Sequence, residues 1–183
     1  MNPSLERVTL ITGGARSGKS RHALALLEGD RSVTYIATAE ALDDDMRGRI
    51  TRHRSERKAE WATVEAPLAL PAALRSCPPE SSVLVDCLTL WVSNLLLGPG
   101  AGHQNSWYPT DEVEDLVAAL ADRRRPVVLV TNEVGSGVVP PTALGGVYRD
   151  ALGRVNQRLA EVAGRVVLVV AGIPLVIKGE RES

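Results

Sequence analysis

Short apolar runs recur along the chain, separated by segments with helical character. Several of these runs are continuous stretches of Val, Ile and Leu, which is typical of strands buried on both faces of a parallel sheet. The predicted strands are 8–12, 33–38, 60–65, 82–86, 126–131, 165–171 and 174–178. The predicted helices are 21–27, 88–97, 111–125 and 142–163. This alternation predicts an α/β fold, a mostly parallel sheet flanked by helices. In the third predicted helix, acidic residues come early and the arginines, Arg123 among them, come late, which suits the helix dipole.

The two final strands form an exception, because only Gly172 and its neighbours separate them. We expect an antiparallel hairpin there, closing the sheet. Elsewhere the strands are parallel, and ligands of such sheets bind at the carboxyl ends of the strands. That rule directs attention to the residues that follow each strand. These are 13–20, 37–45, 65–67, 86–89 and 131–137.

The turn after the first strand has a phosphate-binding sequence, Gly13-Gly14-Ala15-Arg16-Ser17-Gly18-Lys19-Ser20. It fits the P-loop pattern G-x-x-x-x-G-K-[ST], in which backbone N–H groups and a helix start surround phosphate oxygens. Lys19 would reach the outer phosphates, and the Ser20 hydroxyl would bind Mg²⁺. A glycine-rich turn with a chance lysine is the alternative. The strand before the loop and the helix after it favour the P-loop.

Composition places the chain among ordinary globular proteins. It has 183 residues, 44% of them apolar and 23% charged, and a net charge of −1. We therefore expect one domain over 1–183, and the charge gives no reason to expect nucleic acid as a partner. No apolar run reaches the ~18–20 residues of a membrane span, and residues 1–7 lack an apolar signal core. Cys77 and Cys87 are expected to be free thiols in a reducing cytoplasm.

Asp86 ends an apolar strand that lies near the phosphate loop in the predicted sheet. In P-loop proteins an acid at that place helps to hold Mg²⁺, directly or through water. The alternative is a structural one, with Asp86 or Thr89 capping the helix that starts near Leu88. Both roles are compatible with each other.

A basic segment follows three aspartates at 43–45 and is predicted to be helical. Arg49, His53 and Arg57 are spaced four residues apart and so share one face. Neighbouring cations favour the neutral imidazole, which is nucleophilic, and the arginines could hold a triphosphate against it. Such an arrangement could attack a nucleotide α-phosphate. The alternative, which the charge pattern alone favours, is a solvated helix.

Other polar residues carry weaker indications. The loop 131–137 is either a substrate loop or a simple connection. His22 is expected to pack or lie at the surface, and His103 to be solvated in an exposed loop at 98–109. The predicted long helix at 142–163 carries three more polar residues that we assign to its polar face. These are Arg154, Asn156 and Gln157.

Several segments in fixed order resemble one family. They are the P-loop with Thr12 and Arg21, Tyr35-Ile36-Ala37-Thr38-Ala39, Arg49-Ile50-x-x-His53-Arg54, Thr131-Asn132-Glu133-Val134-Gly135, Gly153-Arg154-Val155-Asn156-Gln157-Arg158-Leu159-Ala160, and Gly172-Ile173-Pro174 to Lys178. Together they resemble the bifunctional adenosylcobinamide kinase / adenosylcobinamide-phosphate guanylyltransferases of cobalamin biosynthesis. The resemblance covers nearly the whole chain.

The resemblance implies two reactions. A nucleoside triphosphate, ATP or GTP, phosphorylates the aminopropanol hydroxyl of adenosylcobinamide, and GTP then donates GMP to adenosylcobinamide phosphate through a guanylylated histidine. His53 matches the nucleophile position, although related sequences can carry two adjacent histidines where this chain has Arg52-His53. The resemblance also implies Mg²⁺, a RecA-like fold and a homotrimer. It places further residues along the nucleotide: Ala37, Thr38, Ala39, Arg54, Ser55, Glu56, Arg57, Glu65 and Asp86.

Two rival functions share the P-loop. One is another small-molecule P-loop kinase that forms no covalent intermediate. The other is a nucleotide-switch or RecA-like binding module without transferase chemistry, against which the lack of a basic DNA-binding patch in the sequence argues weakly. A GMP adduct on the protein separates the bifunctional enzyme from both.

Overall fold

The structure is a computed structural model that describes residues 5–40, 44, 47–48, 51, 58–98, 107–137 and 139–180. Its strands are β1 (Val8–Thr12), β2 (Val33–Ala37), β3 (Ala62–Glu65), β4 (Ser82–Asp86), β5 (Val127–Val130), β6 (Arg165–Val170) and β7 (Ile173–Lys178). Its helices with continuously described spans are α1 (Lys19–Leu26), α2 (Leu70–Ser76), α3 (Leu88–Leu97), α4 (Thr110–Ala121) and α5 (Ala143–Val162).

The strands form one seven-stranded sheet in the order β3-β2-β4-β5-β1-β6-β7. Every neighbouring pair is parallel except β6 and β7, which are antiparallel and joined through Ala171 and Gly172. The predicted mostly parallel α/β sheet and its closing hairpin are thus confirmed. Because β1 lies between β5 and β6, its carboxyl end is flanked by the loops that follow those two strands.

Both faces of the sheet are buried, which explains why its strands are continuous apolar runs. In β4, Val83 and Val85 belong to one core cluster and Leu84 to the other. The first cluster packs the sheet against α2, α3, α4 and α5. The second packs it against α1, through Ala23 and Leu27. Helices on both faces are what a parallel sheet requires.

Two local features differ from the sequence prediction. Helix α2 was not predicted, because it has only seven residues and carries Pro71 in its first turn, where proline is tolerated but weakens the helical pattern. Leu70 and Leu74 anchor it, one turn apart and fully buried. The edge strands β3 and β7 are mostly exposed, so burial on both faces applies only to the central strands.

Helix α4 ends at Ala121, four residues before the predicted end at 125. The cause is Arg123, which is buried and donates to the carbonyls of Cys77 (2.9 Å), Pro78 (2.8 Å) and Ser81 (2.6 Å). The guanidinium thus satisfies backbone hydrogen-bond acceptors in the turn between α2 and β4. Its predicted role as a charge at the helix terminus is wrong.

The predicted exposed loop at 98–109 is only partly described. Residues 99–106 lie outside the described residues, whereas Trp107 and Tyr108 pack against the core. Cys77 and Cys87 are free thiols, as predicted. Among the described residues, none of the helices is long and apolar enough to cross a membrane.

Candidate active site

The loop after β1 depends on backbone conformations that suit glycine. Gly13 has φ 145°, and a Cβ there would lie 2.3 Å from the carbonyl oxygen of Val169 in β6. Gly18 has φ 99° and is the N-cap residue of α1, which begins at Lys19. The loop therefore passes directly against β6 and delivers its residues to a helix start, as phosphate binding requires.

The β6–β7 turn supports the same loop from the side. The backbone N–H of Gly172 donates to the carbonyl of Ser17 over 2.8 Å. A Cβ on Gly18 would lie 3.3 Å from the Cα of Gly172. The Ser17 hydroxyl oxygen is enclosed and has no hydrogen-bond partner among the described residues. Gly14, Ala15 and Arg16, by contrast, are exposed at the tip of the loop.

Lys19 folds back over the loop. Its Nζ donates to the carbonyls of Gly13 (2.8 Å) and Gly14 (2.6 Å), and the residue is only 9% exposed. Burial lowers the pKa of Lys19, while the neighbouring Cys87, Asp86 and Glu133 raise it. The ammonium thus lies close to two carboxylates that follow neighbouring strands.

Asp86 ends β4 and its carboxylate is oriented by a tyrosine. The hydroxyl of Tyr35 donates to Asp86 Oδ2 over 2.8 Å. Helix α3 begins at Leu88 with Cys87 as its N-cap residue and no side-chain cap. The alternative in which Asp86 or Thr89 caps this helix is therefore wrong. The carboxylate is partly exposed at the carboxyl edge of the sheet.

Strand register aligns three of the predicted nucleotide residues. Ala37 pairs with Glu65 on one side and with Asp86 on the other, so the three form one row at the carboxyl edge of the sheet. Glu65 is exposed, and Ala37 and Ala39 are partly buried. The next strands along this edge are β5 and β1, which leads into the phosphate loop.

The hydroxyl of Thr38 is used within the protein and does not face a ligand site. It is fully buried, and its Oγ1 donates to the carbonyl of Cys87 (2.7 Å) and accepts from the N–H of Cys87 (2.9 Å). Asn94 Nδ2 donates to the Thr38 carbonyl over 2.9 Å. Thr38 thus ties the end of β2 to the end of β4, where Asp86 lies.

A buried polar network behind the phosphate loop was missed by the sequence analysis. Thr12 Oγ1 donates to Glu133 Oε1 over 2.6 Å, and Asn156 Nδ2 donates to the same oxygen over 3.3 Å. Thr131 Oγ1 donates to Asn156 Oδ1 over 2.7 Å. Asn156 is 8% exposed, so its assignment to the polar face of the long helix is wrong. The available signal was its position in the apolar stripe of α5, between Leu152 and Leu159.

The basic segment is described at only a few positions. Asp44, Arg47, Gly48 and Thr51 are helical and exposed, and Thr51 Oγ1 donates to the Arg47 carbonyl over 2.9 Å. The predicted nucleophile and its followers lie outside the described residues. These are His53, Arg54, Ser55, Glu56 and Arg57.

The residues predicted for Mg²⁺ are oxygen donors of the kind that this ion prefers. Ser20 lies in the first turn of α1, and Asp86 ends β4. Within the described residues, no group of three or more His, Cys, Asp or Glu side chains could hold a metal ion by itself. One hydroxyl and one carboxylate fit Mg²⁺ as it binds beside substrate phosphates, where water and phosphate oxygens complete its shell.

A mostly parallel sheet with this loop between its first strand and first helix defines a P-loop nucleotide-binding protein. Solved structures agree on the fold. An ATPase of the type III secretion system of pathogenic bacteria aligns with a TM-score of 0.57 at 10% identity, over 90% of this chain and 51% of that chain. Protein PH0250 from Pyrococcus horikoshii OT3 aligns with a TM-score of 0.57 at 9% identity, over 97% and 89%. The RecA-like α/β fold is confirmed.

The family follows from sequence comparison. The model of the family described as cobinamide kinase / cobinamide phosphate guanyltransferase matches residues 9–177, and the chain belongs to this family. The bifunctional adenosylcobalamin biosynthesis protein CobU of Salmonella typhimurium is 44% identical over 178 residues, covering 92% of this chain and 98% of that protein. The corresponding CobP protein of Pseudomonas aeruginosa is 47% identical over 173 residues, covering 93% and 97%.

Proposed function

We propose that this chain carries out both reactions named for its family. It phosphorylates adenosylcobinamide with a nucleoside triphosphate, and it transfers GMP from GTP to adenosylcobinamide phosphate, giving adenosylcobinamide-GDP for cobalamin biosynthesis. The observation that carries the proposal is the family match over residues 9–177, with a correctly formed phosphate loop inside it. Relatives of nearly the same length are named as bifunctional enzymes.

The phosphate loop is the proposed nucleotide site for both reactions. Its N–H groups, the start of α1 and Lys19 supply positive potential for the phosphates. Ser20 and Asp86 are the proposed holders of Mg²⁺, which supplies charge neutralisation to the transferring phosphoryl group when bound.

The proposed GMP transfer uses His53 as nucleophile. A covalent histidine intermediate would divide the transfer into two displacements at the α-phosphorus. The guanine nucleotide would then lie along Ala37 to Ala39, Glu65 and residues 54–57. The row formed by Glu65, Ala37 and Asp86 supports this path, because it runs along the sheet edge that leads to the loop.

The proposal extends to assembly and location. We propose a homotrimer in the cytoplasm, where the nucleotide substrates are made. Light scattering on the purified chain tests the first part, because a trimer has three times the mass of the 19.6 kDa chain. A monomer at working concentration would contradict it.

Two incubations test the function. The protein is first incubated with GTP and its intact mass is measured, followed by peptide mapping. It is then incubated with adenosylcobinamide, ATP and GTP, and corrinoids are separated by chromatography. A GMP adduct with formation of adenosylcobinamide-GDP is the expected result. If corrinoid phosphate forms without a GMP adduct on the protein, the chain is a P-loop kinase without a covalent intermediate. If the chain binds nucleotide and forms no product, it is a binding module.

A further inference from the structure

Two carboxylates lie beside Lys19 of the phosphate loop, those of Asp86 and Glu133, and Asp86 is already the proposed holder of Mg²⁺. Strand β1 leads into this loop and is flanked by β5 and β6. The turn after β6 is formed by Ala171 and Gly172, which cannot accept a proton. The segment after β5 carries Glu133, whose backbone N–H donates to the carbonyl of Gly13 over 3.2 Å.

We propose that Glu133 takes the proton from the acceptor hydroxyl during phosphorylation. This role rests on the proposed function, since it concerns the kinase half of that function alone. Glu133 lies outside the P-loop motif, in the loop 131–137 that the sequence left as a substrate loop or a simple connection, and the family description assigns it no role.

Hydrogen bonds hold one carboxylate oxygen of Glu133 and leave the other for chemistry. Thr12 and Asn156 both donate to Oε1, and within the described part of the chain Glu133 Oε2 accepts no side-chain hydrogen bond. Thr12 is 4% exposed and Asn156 8% exposed, so these anchors are fixed in the core. Thr131 in turn fixes Asn156. A buried network that positions a partly exposed carboxylate is typical of a functional group.

Lys19 links this carboxylate to the transferred phosphoryl group. Lys19 Nζ donates to the same Gly13 carbonyl as the Glu133 N–H, so both residues meet at one oxygen. The charge of Glu133 also favours the charged form of Lys19. Since Lys19 is the residue that reaches the outer phosphates, a hydroxyl approaching the γ-phosphorus comes close to Glu133.

The hydroxyl oxygen forms a bond to the γ-phosphorus, and the bond from that phosphorus to the β–γ bridging oxygen breaks. The electron pair of the broken bond stays on the released nucleoside diphosphate. The hydroxyl proton moves to Glu133 Oε2 and later leaves to solvent. General bases of this kind contribute about 10²–10⁴-fold to rate.

The GMP transfer has no such requirement. A neutral imidazole attacks the α-phosphorus through a nitrogen lone pair that carries no proton. In the second displacement the attacking atom is a phosphate oxygen, which is already ionised. A base at Glu133 is therefore needed for phosphorylation and not for GMP transfer, and this contrast separates its chemical role from a general effect on the site.

Glu133→Gln is the decisive variant. Glutamine keeps an acceptor oxygen for Thr12 and Asn156 and replaces the proton-accepting oxygen by an amide nitrogen. We expect the kcat of adenosylcobinamide phosphorylation to fall about 100-fold or more. Formation of the GMP adduct and its transfer to preformed adenosylcobinamide phosphate should fall at least about tenfold less, because GMP transfer loses only the charge that favours protonated Lys19 and not a base.

Thr12→Val tests the positioning of Glu133. Valine has the shape of threonine but lacks the hydroxyl that donates to Oε1, so Asn156 alone holds the carboxylate. The kcat of phosphorylation should fall about tenfold while KM for adenosylcobinamide stays within about twofold, and GMP transfer should change less than phosphorylation. Thr34→Val is the matched control, because the Thr34 hydroxyl in β2 is buried against that of Ser81, the residue before β4 (2.9 Å), and the kcat of neither reaction should change.

Four outcomes would overturn the proposal. An unchanged kinase rate in Glu133→Gln would remove the base, and an equal fall of both activities would assign Glu133 a structural role only. An unchanged kcat of phosphorylation in Thr12→Val would remove the positioning. If wild-type protein forms neither corrinoid phosphate nor GMP adduct, the proposed function itself fails, and this role with it.

Discussion

Lys19 and Glu133 are joined through a single acceptor, the carbonyl oxygen of Gly13. Lys19 Nζ donates to it over 2.8 Å and the Glu133 N–H over 3.2 Å. The ammonium that binds phosphates and the segment after β5 are therefore positioned by the same peptide unit. A bound nucleotide must compete with two loop carbonyls for Lys19, which exchanges these hydrogen bonds for stronger ones to phosphate oxygens.

Lys19→Ala should weaken both reactions, because each requires the same phosphate cradle. We expect kcat/KM for phosphorylation and for GMP-adduct formation to fall about 100-fold or more, since a fixed charge on the transferring group is lost. Steady-state kinetics with ATP and with GTP measure this. Lys178→Ala is the control, because Lys178 pairs with Val166 near the amino end of β6, away from the carboxyl edge where the phosphate loop lies. Unchanged rates in Lys19→Ala would remove the loop from the mechanism.

Gly13→Ala should disrupt the phosphate loop. The added Cβ would lie 2.3 Å from the Val169 carbonyl, and φ 145° strains any L-residue. We expect a loss of about 2–4 kcal/mol in the free energy of unfolding, together with loss of nucleotide binding. Denaturant titration and equilibrium binding of GTP measure the two effects.

Gly14→Ala is the matched stability control, because nothing lies within 4 Å of its added Cβ. Its free energy of unfolding should stay within about 0.5 kcal/mol of wild type. Equal stability losses in the two variants would show that contact with β6 does not cause the loss in the free energy of unfolding of Gly13→Ala.

His53→Ala should abolish the GMP adduct while leaving the fold intact. Without an imidazole at this position, the displacement at the α-phosphorus has no nucleophile. Intact-mass measurement after incubation with GTP provides the test. His103→Ala is the control, because we assign no role to the loop that contains His103. This variant should form the GMP adduct to the same extent as wild type. An adduct retained in His53→Ala and mapped to another residue would contradict the assignment.

Both thiols should resist alkylation in the folded protein. Burial, and secondarily the charge of Asp86, raises the pKa of Cys87 to about 11, and burial also raises the pKa of Cys77. Only the thiolate reacts, so a raised pKa means less reactive thiol at any lower pH. The rate of Cys87 alkylation by iodoacetamide should rise about tenfold per unit from pH ~8 to pH ~10, whereas an ordinary thiol levels off near ~8.5.

Single-cysteine variants separate the two sites. Cys77→Ser reports on Cys87, and Cys87→Ser on Cys77, with mass spectrometry as the readout. In denaturant both thiols should react at the rate of a free peptide thiol. A rate that reaches its plateau below pH ~9 in folded Cys77→Ser would refute the raised pKa of Cys87.

Most strands could be predicted to within a residue, because the apolar runs of a doubly buried sheet are local signals. The phosphate loop was equally local, since eight consecutive residues carry it. Glu133 was not connected with Thr12, because the two residues lie 121 positions apart and meet only when β1 and β5 are adjacent. Its contact with Asn156 spans 23 positions and requires α5 to pack against the segment after β5. Arg123 was misassigned for the same reason, since its acceptors lie 42 to 46 residues away.

The contact between Gly13 and Val169 has a consequence during synthesis of the chain. The phosphate-loop sequence leaves the ribosome before β6, which supplies the backbone against which the loop packs. A nascent chain or a proteolytic fragment that ends before β6 contains every phosphate-binding residue of the motif and lacks the strand that shapes their loop. We expect such a chain to bind nucleotide only after β6 has joined the sheet.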